Sequence, residues 1–373
     1  MMAADPAAAA AGYLLRLPAA ARAAAPADTA RAETLLAVAV AAVLLAAWAV
    51  ARSGLLERIS QRLKMVGRPR WVADAACGGA VIGLVALALT PLELISTGSV
   101  GSLQTLMQAL RQDAVFGLIG ALAAPLLYGL MRLSPRLWAP LAGSLFAALI
   151  FAATWLPFAG AWGPANLPAA PPGPARTGLL NLIAQVHLPA SEVYITPTAS
   201  IDADVTGLGA ARVTVSRGLW EAASPQELRA SIGHLLGHYA HHDQLWIALL
   251  LAAMTLGLFL VVRTLYAPAA RLLKLPSDIS DPVGAPALVM VATLWLCLGV
   301  FCDHALIRWV NVRADQYSLD QAKEPDGLAV ALLHEWRGED PSPSPLQEAL
   351  FYDHPSLAGR LEHAMRWKAA HGG

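Results

Sequence analysis

Two histidines four residues apart, His234 and His238, are the residues whose type and spacing point most directly to chemistry. On a helix, positions i and i+4 share a face, so both rings can turn a nitrogen toward one metal ion. The helix to carry them is legible: Ser224 can cap its first turn, Pro225 takes the first helical position and Glu227 is placed for a capping box. The spacing predicts a helix from Ser224 to about Asp243. His241 lies on roughly the same face, with His242 and Asp243 following. Seven residues at about 1.5 Å each put His241 about 10 Å from His234, too far for both to reach one ion at about 2 Å without distortion.

The elements that must position this pair belong to a membrane protein. With 57% hydrophobic and 14% charged residues, the chain does not have the composition of a soluble domain. Its 26 basic and 26 acidic residues cancel, so no global basic field exists to recruit nucleic acid. Cys77, Cys297 and Cys302 fall inside apolar stretches, which argues against a disulfide framework. Residues 1–33 are Ala-rich and too weakly apolar to span, and read as a tail or surface helix. Six later stretches approach the roughly 20 apolar residues a bilayer requires: 34–51, 72–95, 114–131, 138–158, 245–262 and 285–307. The run 159–175 is crowded with Pro and Gly and serves as a hinge. Between 176 and 244 the apolar pattern shortens, predicting a helix at Gly178–Val186 and strand-like runs at Val193–Thr196 and Arg212–Val215 with 202–209 between them. The expected organisation is therefore a tail (1–33), about four spans and the hinge (34–175), a more polar region with the histidine helix (176–244), two further spans (245–307) and closing helices (308–373).

Around the histidines, Gly233-His234-Leu235-Leu236-Gly237-His238-Tyr239 resembles the GHExGHY helix of the CAAX prenyl endopeptidases, integral-membrane zinc metallopeptidases. Val205-Thr206-Gly207-Leu208-Gly209, followed by Ala211-Arg212-Val213, resembles that family's substrate-binding strand, and Val193-Tyr194-Ile195 the strand before it. Ala314-Asp315-Gln316-Tyr317-Ser318 is similar to its ExxAD segment. Glu324-Pro325-Asp326-Gly327-Leu328 and Phe351-Tyr352-Asp353-His354-Pro355-Ser356, with Arg360, resemble its closing motifs. The resemblance implies a mainly α fold: a polytopic helical bundle with a small α+β zincin-like metallopeptidase domain. It implies His234 and His238 as zinc ligands, Asp315 as the residue that orients a ligating histidine, and His354 and Arg360 as oxyanion donors, with a packed hydrogen-bond network that closes the C-terminal helices as the equal alternative for these last two.

Departures from the family pattern fall on the chemistry. The residue after the first histidine is the glutamate that takes the proton from the zinc-bound water; here it is Leu235. The third ligand, four residues before the aspartate, is Asn311, a neutral amide where zinc prefers an anionic or imidazole donor. Asp202 stands where asparagine is frequent and Arg313 where a second acid is common. Zinc binding is thus expected to be possible but weakened. The expected function is a catalytically inactive or severely impaired homologue that binds peptides or partner proteins along Val205–Leu208 by β-augmentation, amid membrane lipid and without nucleic acid. Two alternatives stand beside it: an active metalloendopeptidase with a relocated base such as Asp315 or Glu335, and a membrane scaffold or transport-related component. Asp303 and His304, late in the last span, are ionisable residues that read either as functional or as an interfacial pair. Loop charge at 52–71, 132–137 and 263–284 against the lone Arg111 of 96–113 places the histidine region on the non-cytoplasmic side, whereas the resemblance implies the cytosolic side.

Overall fold

A computed structural model describes residues 5–96, 103–160, 166–190, 192–208 and 211–372. In chain order it contains α1 (Pro6–Leu14), α2 (Ala19–Ser53), α3 (Leu55–Met65), α4 (Arg70–Ser96), α5 (Leu103–Leu133), α6 (Trp138–Phe158), α7 (Pro174–Gln185), β1 (Val193–Thr196), β2 (Ala203–Thr206), β3 (Arg212–Ser216), α8 (Arg217–Ala222), α9 (Pro225–Ala240), α10 (Asp243–Leu273), α11 (Ala285–Ala322), α12 (Pro325–Glu335), α13 (Pro345–Phe351) and α14 (Leu357–His371). The helices α2, α4, α5, α6, α10 and the Pro282–Ala322 segment that contains α11 are long and apolar enough to cross a membrane. They coincide with the six stretches read from the sequence. The chain divides into two compact units, one of Met1–Thr29, Leu149–Leu251 and Phe301–Gly373, the other of Ala30–Ala148 and Ala252–Val300.

Several boundaries move. Residues 19–33, expected in a tail, are the first turns of α2, which runs unbroken to Ser53 because the Ala-rich sequence has high helix propensity despite Pro26. Helix α5 starts at Leu103, so Arg111 lies in a helix and not in a loop. Helix α10 continues to Leu273, taking Arg263 and Arg271 with it. The histidine helix stops at Ala240, because His242 takes a left-handed backbone (φ 55°) and Asp243 opens α10. Helix α11 passes through 307 without interruption, so Asn311, Arg313 and Asp315 share a helix with the last apolar stretch. Part of the hinge, 161–165, and Gly209 lie outside the described residues.

In the second unit, α4 and α5 approach so closely that a Cβ on Gly78 would lie 2.4 Å from the Ala124 Cβ. Arg132 donates to both oxygens of the buried Asp74 at 2.7 Å, and Thr90 donates to Asp113 at 2.6 Å. These pairings satisfy polar groups that the surrounding apolar side chains cannot.

The first unit holds the sheet, in the order β1-β3-β2, with β1 parallel and β2 antiparallel to β3. Alternation puts Val193, Ile195, Val205, Val213 and Val215 on one face, where they form a core with α7 and with Leu228, Ile232 and Leu236 of α9. A second core joins α1, α12 and α14 around Leu328, Leu332, Leu361 and Met365. There Tyr13 donates to Asp326 at 2.6 Å, and burial, helped by that carboxylate, pushes the Tyr13 hydroxyl up to about 12. Lys368 also donates to Asp326, at 2.6 Å; burial alone would raise this acid, but the two donors outweigh it and hold it below its ordinary value.

Candidate functional site

Helix α9 begins with the capping box foreseen at Ser224 and Glu227. Glu227 is buried and also meets the Nδ1 of His334 at 2.5 Å, which ties the helix start to α12. Two glycines then set how near α11 can come. A Cβ on Gly233 would lie 2.9 Å from the Ser318 Oγ, and one on Gly237 2.8 Å from the Ala314 Cα. The Ser318 hydroxyl donates to the Ala230 carbonyl at 2.7 Å across this crossing. Close approach is what lets the short Asp315 side chain reach α9.

The His234 Nδ1 meets Asp315 Oδ1 at 2.8 Å, and the His238 Nδ1 meets Asp243 Oδ2 at 2.9 Å. Both carboxylates are almost wholly buried. An ionised carboxylate only accepts, so each histidine carries a proton on Nδ1 and turns its Nε2 away from its carboxylate. Those two Nε2 atoms face each other 3.0 Å apart, with the rings nearly perpendicular at 88°. Burial draws the His238 imidazole below its usual value, outweighing the pull of Asp243 in the other direction, so the neutral ring is favoured.

Each carboxylate is itself held by an arginine. Arg360, 9% exposed, donates from Nε to Asp315 Oδ2 at 2.7 Å and from Nη2 to Asp315 Oδ1 at 2.8 Å. Its guanidinium therefore supports Asp315 through two of its nitrogens. Arg313 makes a short contact through Nη2 with Asp243 Oδ1, and its guanidinium lies 3.5 Å over the Trp309 ring. His354 is half exposed, with its Nδ1 on Asp353 at 2.9 Å.

Leu235, beside His234 in sequence, packs against the apolar core of the sheet. Asn311 is buried and its amide nitrogen donates to the Ile307 carbonyl at 2.8 Å, which leaves only the amide oxygen as a donor to an ion. Among the described residues, no group of three or more His, Cys, Asp or Glu converges to hold a metal. His241 caps the end of α9 with its ring against Tyr317, away from the pair. Asp303 and His304 lie on α11, where the Nδ1 of His304 is buried without a partner.

Strand β2 has β3 as its one strand partner among the described residues, which makes it an edge strand. Ser216 donates its N–H to the Asp202 carbonyl at 2.8 Å, so by alternation the backbone groups of Ala203, Val205 and Gly207 turn to the outer edge. At Gly207 both are taken: its N–H donates to the Phe158 carbonyl at 2.8 Å and its carbonyl accepts from the Tyr239 hydroxyl at 3.0 Å. Beside this edge lies a cleft of ≈ 470 Å³, lined by Thr206, Gly207 and Leu208 with Asp204, Arg212 and Phe158. Sequence reasoning singled out Val205–Leu208, His234, His238 and Asp315, and the structure brings the last three together. The sequence noted Asp243 and Arg313 without joining them, because their pairing depends on the sharp turn at His242. The roles of Tyr239 and Phe158 at the strand end carried no signal beyond their proximity to the motif.

A bundle of long apolar helices, with a two-histidine helix laid against a small mixed sheet, defines an integral-membrane metallopeptidase fold. Residues 176–368, just over half of the chain, match Peptidase family M48, and the protein belongs to that family, whose members are zinc metalloproteases. It is a multi-pass integral membrane protein. Curated relatives include a protease HtpX homolog of Syntrophobacter fumaroxidans, 29% identical over 190 residues (48% of this chain, 66% of the relative), and one of Moorella thermoacetica, 33% identical over 157 residues (41% and 51%). Protease HtpX of Stutzerimonas stutzeri is 27% identical over 194 residues (46% and 64%). The chain thus matches less than two thirds of the length of these curated relatives. The crystal structure of S. mikatae Ste24p shares the fold, with a TM-score of 0.52 at 18% identity over 77% of this chain and 74% of that one.

Proposed function

We propose that this chain is a catalytically inactive or severely impaired membrane metallopeptidase homologue that binds extended peptides or partner proteins along the outer edge of β2. The observation that carries the reading is Leu235: where the fold needs a carboxylate beside the metal-binding helix, an isobutyl group packs into the core instead. Asp315 and Asp243, the two carboxylates that touch the histidines, are each committed to an arginine as well, and Glu335 is exposed at the end of α12. His234 and His238 are the residues that would hold zinc, and two nitrogens 3.0 Å apart fit one ion, since two bonds of about 2.05 Å at a tetrahedral angle separate their donors by about 3.3 Å. When bound, zinc would polarise a peptide carbonyl. Asn311 supplies at most a neutral oxygen as third donor. What the chain retains is the strand edge at Ala203 and Val205, whose outward backbone groups no side-chain replacement removes, beside the cleft lined by Thr206, Gly207 and Leu208.

General acid-base catalysis contributes about 10²- to 10⁴-fold. The double variant Leu235→Glu with Asn311→Glu is expected to gain at least the lower bound of that factor in cleavage of quenched fluorescent peptides by purified, zinc-loaded protein. Robust hydrolysis by the natural chain, abolished by His234→Ala, would overturn the proposal. The side of the membrane is proposed from charge: Arg58, Arg62, Lys64 and Arg68 lie in or beside α3, which puts that connection in the cytosol and the histidine helix on the far side. Labelling of single cysteines on α3 in intact cells by an impermeant maleimide would contradict this assignment.

A further inference from the structure

The carboxylate behind His238 and the arginine behind that carboxylate belong to no role described so far. We infer that Asp243 and Arg313 form a second positioning relay, matching Arg360–Asp315–His234, that aims His238 at the same divalent cation as His234. The inference deepens the metal half of the proposed function and does not depend on peptide binding.

The geometry is duplicated. In each relay an arginine grips a nearly fully buried carboxylate, and that carboxylate accepts the Nδ1 proton of one histidine. A carboxylate in this place fixes tautomer and ring orientation, which aims Nε2 at the ion and raises its basicity. Asp243 can do this because the left-handed residue His242 turns the chain back between α9 and α10. Arg313 in turn is stacked on Trp309, so its approach to Asp243 is fixed from two sides. The two aspartates and two arginines cancel in charge.

Charge and donor type then decide the ion. All four carboxylate oxygens are engaged: Asp243 Oδ1 by Arg313 and Oδ2 by His238, Asp315 Oδ1 by His234 and Arg360, and Oδ2 by Arg360. A hard cation that wants anionic oxygen finds none released, whereas zinc or cobalt takes imidazole nitrogen readily. Arg313 neutralises Asp243, which would otherwise be a buried charge with His238 as its partner.

The test uses the purified full chain in detergent and measures Zn²⁺ affinity by competition with a chromogenic chelator, the Co²⁺ absorption spectrum, and thermal stability without metal. The natural chain should bind one Zn²⁺ that millimolar Mg²⁺ does not displace. Arg313→Met and Asp243→Asn should each weaken Zn²⁺ binding by about 10- to 100-fold and alter the Co²⁺ spectrum, the usual effect of losing such outer partners. Arg313→Lys, which keeps the charge and loses the planar fork, should fall between. Arg176→Met, which breaks a distant pair with Glu192, should match the natural chain. If a variant does not fold, ¹⁵N resonances of the natural protein decide: Nδ1-protonated tautomers at both His234 and His238 are expected, and an Nε2-protonated His238 overturns the relay. Affinities within two-fold of the natural chain for Arg313→Met and Asp243→Asn also overturn it. If the natural chain binds no Zn²⁺, the metal half of the proposed function falls as well, whereas unchanged variants with tight natural binding remove the relay alone.

Discussion

Arg360 and Asp315 form the most deeply buried ion pair of the site, and its removal can be worked through quantitatively. Arg360 is 9% exposed and the Asp315 side chain 2%, and the two share bonds of 2.7 and 2.8 Å. Arg360→Leu leaves Asp315 as an uncompensated buried charge with only His234 as partner, and breaking such a pair costs about 3–5 kcal/mol. That is a large share of the roughly 5–15 kcal/mol by which folded proteins exceed their unfolded states. The double variant Arg360→Leu with Asp315→Leu removes both charges and should recover most of the loss, since apolar replacements of a whole buried pair are often close to neutral. Denaturant unfolding of detergent-solubilised protein, followed by tryptophan fluorescence, supplies the four corners of a double-mutant cycle. A coupling below about 1 kcal/mol, the value of an exposed pair, would refute the burial argument, and so would a double variant as unstable as the sum of the singles. Salt up to 1 M should leave the coupling nearly unchanged, because buried pairs are weakly screened.

Gly237→Ala should destabilise the fold by about 1–2 kcal/mol: overpacking against Ala314 costs about 1–3 kcal/mol, and helix propensity returns only part of it. Gly12→Ala in α1, where a Cβ meets nothing within 4 Å, should instead gain up to about 1 kcal/mol, and thermal melts of both variants separate space from propensity. Asp326 has its folded pKa depressed by Lys368 and Tyr13 against the effect of burial. Its contribution is therefore fully present above the ordinary carboxylate value of about 3.9 and is lost as pH falls through the lower folded value. Lys368→Met should flatten the acid limb of a stability-against-pH curve, and an unchanged limb would contradict the assignment.

Much of this was legible in the sequence because it follows from local rules. The capping box at Ser224, the two histidines, the runs at Val193 and Arg212 and the six apolar stretches each depend on residues within one element. The ends of those elements were not legible. Where α9 stops is decided by the left-handed backbone of His242, a conformation that no side chain there requires. The unbroken passage of α11 through 307 was equally hidden, because the rise in polarity at Arg308 resembles the end of a span. For Arg360 the sequence leaves an oxyanion donor and a packed network closing the C-terminal helices equally open, and its partner Asp315 becomes visible only when the fold brings residues 315 and 360 together.

The two glycines of the histidine helix have a consequence for rotation. Gly233 and Gly237 each precede a histidine by one residue, which is about 100° around the axis. With backbone of α11 against one glycine and the Ser318 side chain against the other, α9 cannot roll about its own axis without a collision, so the azimuth of both imidazoles is locked. An imidazole nitrogen about 6 Å from the axis would swing by about 1 Å for a roll of 10°, enough to part His234 from Asp315 at 2.8 Å. Leucine at 235 on α9 and asparagine at 311 on α11 change what the two helices carry without altering the glycines that set their approach. The aim of the rings can therefore outlast the reaction they were built to serve.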